Sequence, residues 1–435
     1  MDEFSKLKYK EEKEKVSFIK KFINKITNNK RFKKVKRSLK IIKPSKNYNK
    51  IEGKEIIENY KNEISTNHKI IKKRNAGIDL LRILAMLGIV YTHILFQGKG
   101  ILTYPKYKTR IAKSFTYVFW HNNAYALISG IVGYKSTKYS NLLYLWLCTV
   151  FYSLSIRYYY LKSKKGTIEG ELYKEYYPAI YERYWYFTNY FVMFLFLPAI
   201  NKGIQYLSKP EFKLLVSSIY GILILWHTYM NINKEDHFKM DRGFSAIWLL
   251  CLYMIGAYIG KYNIVYTGIK RFIFSFLYLF IFISLCYIFN NYSDTVSGYT
   301  SNNKTKIINI LIRLIPDDIN NLFKATQSIS VTLFFLQLKY NKYLSNLIIF
   351  FGPLIFGVYL IHLNHNVVNN YFSTILKGES YSLKENEVIL MLAFKTIKIF
   401  VGCIIIEYLR HLLFNILKIR KICIFFEKIA YKIAN

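Results

Sequence analysis

An apolar run from Gly77 to Gly98, GIDLLRILAMLGIVYTHILFQG, carries three ionisable residues, Asp79, Arg82 and His93. A charged side chain at membrane depth costs about 2.5 to 3.5 kcal/mol on insertion scales, and an ionisable residue inside a span is by default a functional-site hypothesis. A neutral imidazole costs far less than an ion there and can remove a proton from a hydroxyl. Arg82 and His93 are eleven residues apart, which on a helix returns to within about 20° of the same face after a rise of about 16 Å. They therefore share one stripe. Asp79, three residues before Arg82, lies close to that stripe and can pair with the guanidinium, lowering the cost of burying it. The competing readings are a snorkelling arginine and an inter-helix hydrogen bond from the histidine. Their common face within one span favours chemistry.

The elements that must hold these residues follow from composition. The chain has 435 residues, 52% hydrophobic and 18% aromatic, yet 20% charged, so its charge must be segregated from its apolar segments. The sequence predicts an all-α, polytopic membrane protein with about ten transmembrane helices. They fall near 78 to 97, 115 to 134, 141 to 161, 184 to 203, 212 to 231, 244 to 260, 271 to 290, 320 to 338, 344 to 363 and 388 to 417. The eighth, with Lys324, Gln327 and Ser328, is the most polar. A net charge of +37 is concentrated in part in an N-terminal extension, residues 1–76, with the run KRFKKVKRSLKIIKPSK. That extension reads as a cytosolic tail, largely disordered or a membrane-surface helix, and it places the N-terminus in the cytosol. The membrane domain spans 77–420, and a short basic tail, 421–435, follows. No nucleic-acid recognition module is visible. Cys148, Cys251, Cys286, Cys403 and Cys423 show neither a disulfide framework nor metal-ligand spacing, so no metal site is expected.

Further polar and aromatic residues are candidates for the same site. Trp185, Tyr186 and Tyr190 offer stacking surfaces for a sugar or an adenine, or else an interfacial belt. Tyr359 and His362, three residues apart, share one face of the ninth span and face the same cavity as His93 in the functional reading. His121, Asn122 and Asn123 add polarity to the second span. Ser129 and Gly130 read as a helix-packing pair, and Asn201, after Pro198, as a residue that satisfies a helix end.

With those residues in view, the sequence resembles the acyltransferase 3 family, integral-membrane O-acyltransferases that acylate surface polysaccharides and related glycans. The likeness begins with IDLLRILAMLGIVYTHI, an arginine followed by ten residues and a histidine. It continues through AYALISGIVGYKS, YWYFTNYFVMFLFLPAINK, GFSAIWLLCLYMIGAYIGKY and FGVYLIH, in family order over about residues 75 to 420. The resemblance implies an acyl-CoA donor, most often acetyl-CoA, used as a substrate rather than a permanently bound cofactor. The acceptor would be a hydroxyl of a cell-envelope glycan or lipid-linked saccharide at the plasma (inner) membrane. It assigns His93 to catalysis and Arg82 to the same motif, with Arg82, supported by Asp79, toward the donor. Trp185, Tyr186, Tyr359 and His362 are candidate substrate contacts. The planar donor fork of arginine suits phosphate, and a histidine can serve as general base on the attacking hydroxyl. The alternative from another class is a transporter or flippase of a lipid-linked saccharide using the same intramembrane polar residues.

Overall fold

The computed structural model describes residues 74–104, 120–163, 170–230, 236–264, 319–376 and 383–434, with isolated positions between them. Most of the span expected at 271 to 290 and nearly all of the basic extension lie outside the described residues, as does Cys286. Arg74–Asn435 forms one compact unit, and among its described residues every regular element is helical. The principal helices are α1 (Ala76–Phe96), α2 (His121–Gly133), α3 (Ser140–Ser163), α4 (Trp185–Tyr206), α5 (Lys209–Met230), α6 (Ala246–Lys261), α7 (Leu322–Gln337), α8 (Lys342–His362), α9 (Glu385–Ile416) and α10 (Ile419–Ala434). Among the described residues, these helices cover nine of the ten expected positions. Four of them, α1, α5, α8 and α9, are long and apolar enough to cross a membrane. The others are shorter, as α2, α6 and α7 are, or carry more polar residues, as α3 and α4 do.

Local chemistry sets the helix ends. Asn75 caps α1 by accepting from the Ile78 N–H, and Ser245, Asn321 and Asn341 do the same for α6, α7 and α8. Ser208 and Glu211 form a capping box at the start of α5. Asn201 does satisfy a helix end: its amide donates to the carbonyls of Gly133 and Ser136 at the end of α2, at 3.0 and 2.7 Å, and accepts from the Tyr253 hydroxyl. A Cβ on Gly130 would meet the Tyr253 carbonyl oxygen at 2.0 Å, and one on Gly256 that of Leu127 at 2.1 Å. Glycine is required at both places because the backbones of α2 and α6 touch.

The apolar side chains pack into two clusters. One holds Leu127, Trp248, Tyr253 and Leu333 from α2, α6 and α7, and the other Val358, Leu360, Leu392 and Phe400 from α8 and α9. Helix α1 gives Leu81 and Ala85 to the first and Met86, Val90 and Ile94 to the second, and α4 is divided in the same way. These two helices therefore run along the seam between the clusters, where polar groups can be enclosed without breaking either. Outward, α9 exposes Leu390, Phe394, Ile405, Leu409 and Ile416. An apolar face of that length suits hydrocarbon and not water. The chain is a helical membrane protein.

Candidate active site

The seam holds a cavity of about 930 Å³, lined chiefly from α1, α2, α3, α4, α8 and α9, with Tyr253 of α6, Lys324 of α7 and Arg420 of α10. Arg82, His93, Trp185, Tyr186 and Tyr359 all line it, whereas Asp79 and His362 do not and are fully buried. Each of these two stands directly behind a lining residue. Asp79 is bonded to Arg82, and His362 to His93.

At the Arg82 end, Asp79 Oδ1 accepts from Arg82 Nη1 at 2.7 Å, and its Oδ2 lies 2.6 Å from Arg74 Nε. The carboxylate is thus shared by two guanidiniums, as burial of a charge requires. Space for it comes from Gly352, where a Cβ would sit 2.6 Å from Asp79 Oδ1. Arg82 makes no other side-chain hydrogen bond among the described residues and keeps 21% of its side chain exposed, so most of its donors remain available to the cavity. The backbone carbonyl of Arg82 accepts from the Tyr125 hydroxyl at 2.7 Å, which ties α1 to α2 at this depth.

A second acid and arginine pair borders the same cavity. Both oxygens of Glu407 accept from Arg410, and Oε2 also accepts from the Tyr152 hydroxyl at 2.6 Å. Arg410 Nη1 reaches the Tyr144 hydroxyl at 3.1 Å, and its guanidinium lies 4.6 Å from the centre of the Phe414 ring. Sequence reasoning passed over this pair inside the apolar run of α9. The signal that marks it is EYLR, which repeats the acid-x-x-Arg spacing of DLLR at Asp79.

Helix α8 orders these groups along the cavity. Its Gly352 faces Asp79, its Gly357 faces Glu407 and its His362 meets His93. Along α8 the Asp79 and Arg82 pair stands at one end, the Glu407 and Arg410 pair midway, and the imidazoles at the other end. Lys138, His411 and Arg420 also line the cavity. Arg420 bonds Asn141 at the start of α3 and lies 5.4 Å from the centre of the Tyr144 ring that Arg410 also contacts. With Arg74, Arg82, Lys138, Lys324, Arg410 and Arg420 on its lining, the cavity is cationic beyond what Asp79 and Glu407 neutralise.

At the other end, His93 Nδ1 lies 3.0 Å from His362 Nε2. Nearby, Thr92 Oγ1 donates to the Gly88 carbonyl and lies 3.2 Å from His121 Nε2. His121 and Asn122 line the cavity, while Asn123 turns away from it and accepts from Trp248 Nε1 at 3.0 Å. Between the two ends stands an aromatic wall. Tyr186 is stacked with Tyr190 at a 16° interplanar angle, Trp185 meets Phe244 edge-on, and the Tyr359 hydroxyl accepts from the Phe187 N–H. Ser129 lines the cavity as well, its hydroxyl satisfied by the Tyr125 carbonyl. His227 and His365 take no part, each held by a nearby asparagine amide, Asn320 and Asn369.

Among the described residues no three His, Cys, Asp or Glu side chains converge as a metal would need, and Cys148, Cys251, Cys403 and Cys423 are buried free thiols. What the arrangement can do is hold an anion at one end and handle a proton at the other, with flat apolar walls between. No curated protein and no solved structure matches the chain. One family model does, described as an acyltransferase domain, over residues 75–408.

Proposed function

We propose, from the premise that this chain belongs to the acyltransferase 3 family, that the cavity moves an acetyl or other short acyl group from acyl-CoA to a hydroxyl of a cell-envelope glycan or lipid-linked saccharide. The observation that carries this reading is the placement of Arg82 and His93 on one cavity, separated along α1 by a rise of about 16 Å. An extended pantetheine arm bridges such a gap, with phosphates at its charged end and a thioester at the other. Arg82, fixed by Asp79, offers a donor fork to the phosphates. Lys138 and Arg420 add charge of the same sign.

At the far end His93 acts as general base. It takes the proton of the attacking hydroxyl as that oxygen adds to the thioester carbonyl, and returns it to the CoA sulfur as the tetrahedral intermediate collapses. The products are the O-acyl ester and free CoA thiol, so protons and electrons balance. Trp185, Tyr186 and Tyr359 supply surfaces on which a sugar or adenine ring can stack. Donor entry from the cytosol follows if the basic extension, residues 1–76, is cytosolic, as the positive-inside rule favours. The protein would then be a multi-pass protein of the plasma (inner) membrane.

The test is acetyl incorporation into extractable envelope glycans from labelled acetyl-CoA, in membranes carrying wild type, His93→Ala or Arg82→Ala at matched protein levels. Label that depends on both residues is the expected result. A flippase using the same polar lining would leave all three unlabelled while lipid-linked saccharide still crossed the membrane.

A further inference from the structure

We infer that His362 is a positioning residue that holds His93 in the tautomer with its proton on Nδ1, so that the unprotonated Nε2 is the base offered to the cavity. The contacts that fix the tautomer begin in the last turn of α8. His362 Nδ1 lies 2.6 Å from the carbonyl oxygen of Val358. A carbonyl only accepts, so Nδ1 must carry a proton. An imidazolium at His362 would need an anion beside it, but among the described residues its hydrogen-bond and ring partners are His93, the Val358 carbonyl and the Phe372 ring, and it has no ion pair. His362 is therefore neutral, and its Nε2 is a bare acceptor. The atom facing that acceptor at 3.0 Å is His93 Nδ1, which must donate. Neutral His93 then has no proton on Nε2, and that nitrogen has no protein hydrogen bond among the described residues while His93 itself borders the cavity.

The consequence is a chain from the Val358 carbonyl through His362 to His93, in which the one fixed acceptor of the peptide sets the state of two rings. It follows the general logic of a base oriented by a third group, with a neutral imidazole in place of the usual carboxylate. When His93 takes a proton on Nε2, its Nδ1–H keeps the same partner, so no ring needs to turn during the reaction. A carboxylate at position 362 would stabilise the imidazolium more strongly, but it would add an unpaired charge to a fully buried site.

This inference rests on the acyl-transfer reading for its kinetic consequence, not for its structural content, and the tests separate the two. The full-length protein is labelled with ¹⁵N-histidine, placed in lipid bilayers and examined by solid-state NMR, with His93→Gln assigning the signal. The expected spectrum shows His93 protonated at Nδ1 and bare at Nε2. In His362→Leu the two His93 tautomers should mix. A wild-type His93 protonated at Nε2, or a tautomer unchanged in His362→Leu, would overturn the inference whether or not acyl transfer occurs.

In the kinetic arm, His362→Leu should lower kcat at least about tenfold while the donor KM stays within about twofold. His362→Gln, whose Oε1 can accept from His93 Nδ1, should restore most of kcat. CoA binding by both variants reports that the fold is retained. Equal losses in the Leu and Gln variants, or a loss confined to KM, would contradict the positioning role. Absence of transfer by wild type would sink the acyl-transfer reading and leave the spectrum to decide the tautomer.

Discussion

The cavity is bordered by two copies of one motif, an acid followed three residues later by an arginine, and their environments differ. Glu407 and Arg410 are 1% and 5% exposed and saturate one another: both carboxylate oxygens are taken, and the guanidinium is closed by Tyr144, Cys148 and Phe414. Asp79 is equally buried, but Arg82, which lines the cavity, spends only one nitrogen on it. The same spacing thus produces a structural pair on α9 and a ligand-ready arginine on α1. The difference is made by neighbours, one five residues before Asp79 and others, Tyr144, Cys148 and Tyr152, far in sequence from Glu407. Arg74 shares Asp79 with Arg82, donating to Oδ1 at 2.9 Å with its Nε 2.6 Å from Oδ2, whereas no second arginine joins Glu407 and Arg410 among the described residues.

Substitutions can sharpen this contrast. Glu407→Ala should be the most damaging, because it leaves Arg410 buried without its anion, at a cost of about 3 to 5 kcal/mol. Thermal unfolding of the purified protein would show this as a large drop in Tm. Gly357→Ala comes next: a Cβ there would lie 2.0 Å from Glu407 Oε2 and 2.2 Å from its Cδ, so overpacking of about 1 to 3 kcal/mol is expected on the same assay. Arg82→Gln should behave in the opposite manner. Asp79 retains Arg74, so Tm should barely move, while CoA affinity falls by about 10- to 100-fold, the worth of a hydrogen bond to a charged group. Equilibrium binding of labelled CoA checks it, and a large Tm loss without a binding loss would reverse the roles assigned to the two pairs. Smallest is Tyr152→Phe, which removes one bond to Glu407 and should cost about 1 kcal/mol.

Part of this contrast was legible in the sequence. DLLR and His93 stand in one span, so their shared stripe and the Asp79 pairing follow from helical geometry alone. The eighth expected span, the most polar, does form as α7, and its Lys324, Gln327 and Ser328 are buried in a way its sequence did not indicate. What could not be read depends on contacts made hundreds of residues apart. Nothing local says that Gly352 makes room for Asp79 or Gly357 for Glu407. Tyr359 and His362 share one face of α8, as the helix period requires. Their depth relative to α1 was not accessible, and the structure leaves only Tyr359 on the cavity while His362 stands behind His93. The tail at 421–435 reads as amphipathic, and the structure shows α10 as a helix whose buried side includes Cys423. Its Arg420 reaches the cavity from beyond the family match.

The central claim is that His93 handles the proton of acyl transfer while Arg82 holds the donor. The most direct measurement is release of free CoA thiol from acetyl-CoA by the purified protein in lipid bilayers supplied with envelope glycan extract, comparing wild type with His93→Ala, alongside CoA binding by each. The account predicts equal CoA affinity and a rate about a hundredfold or more lower in the variant. Equal rates in the two proteins, or thiol release by neither, would contradict it.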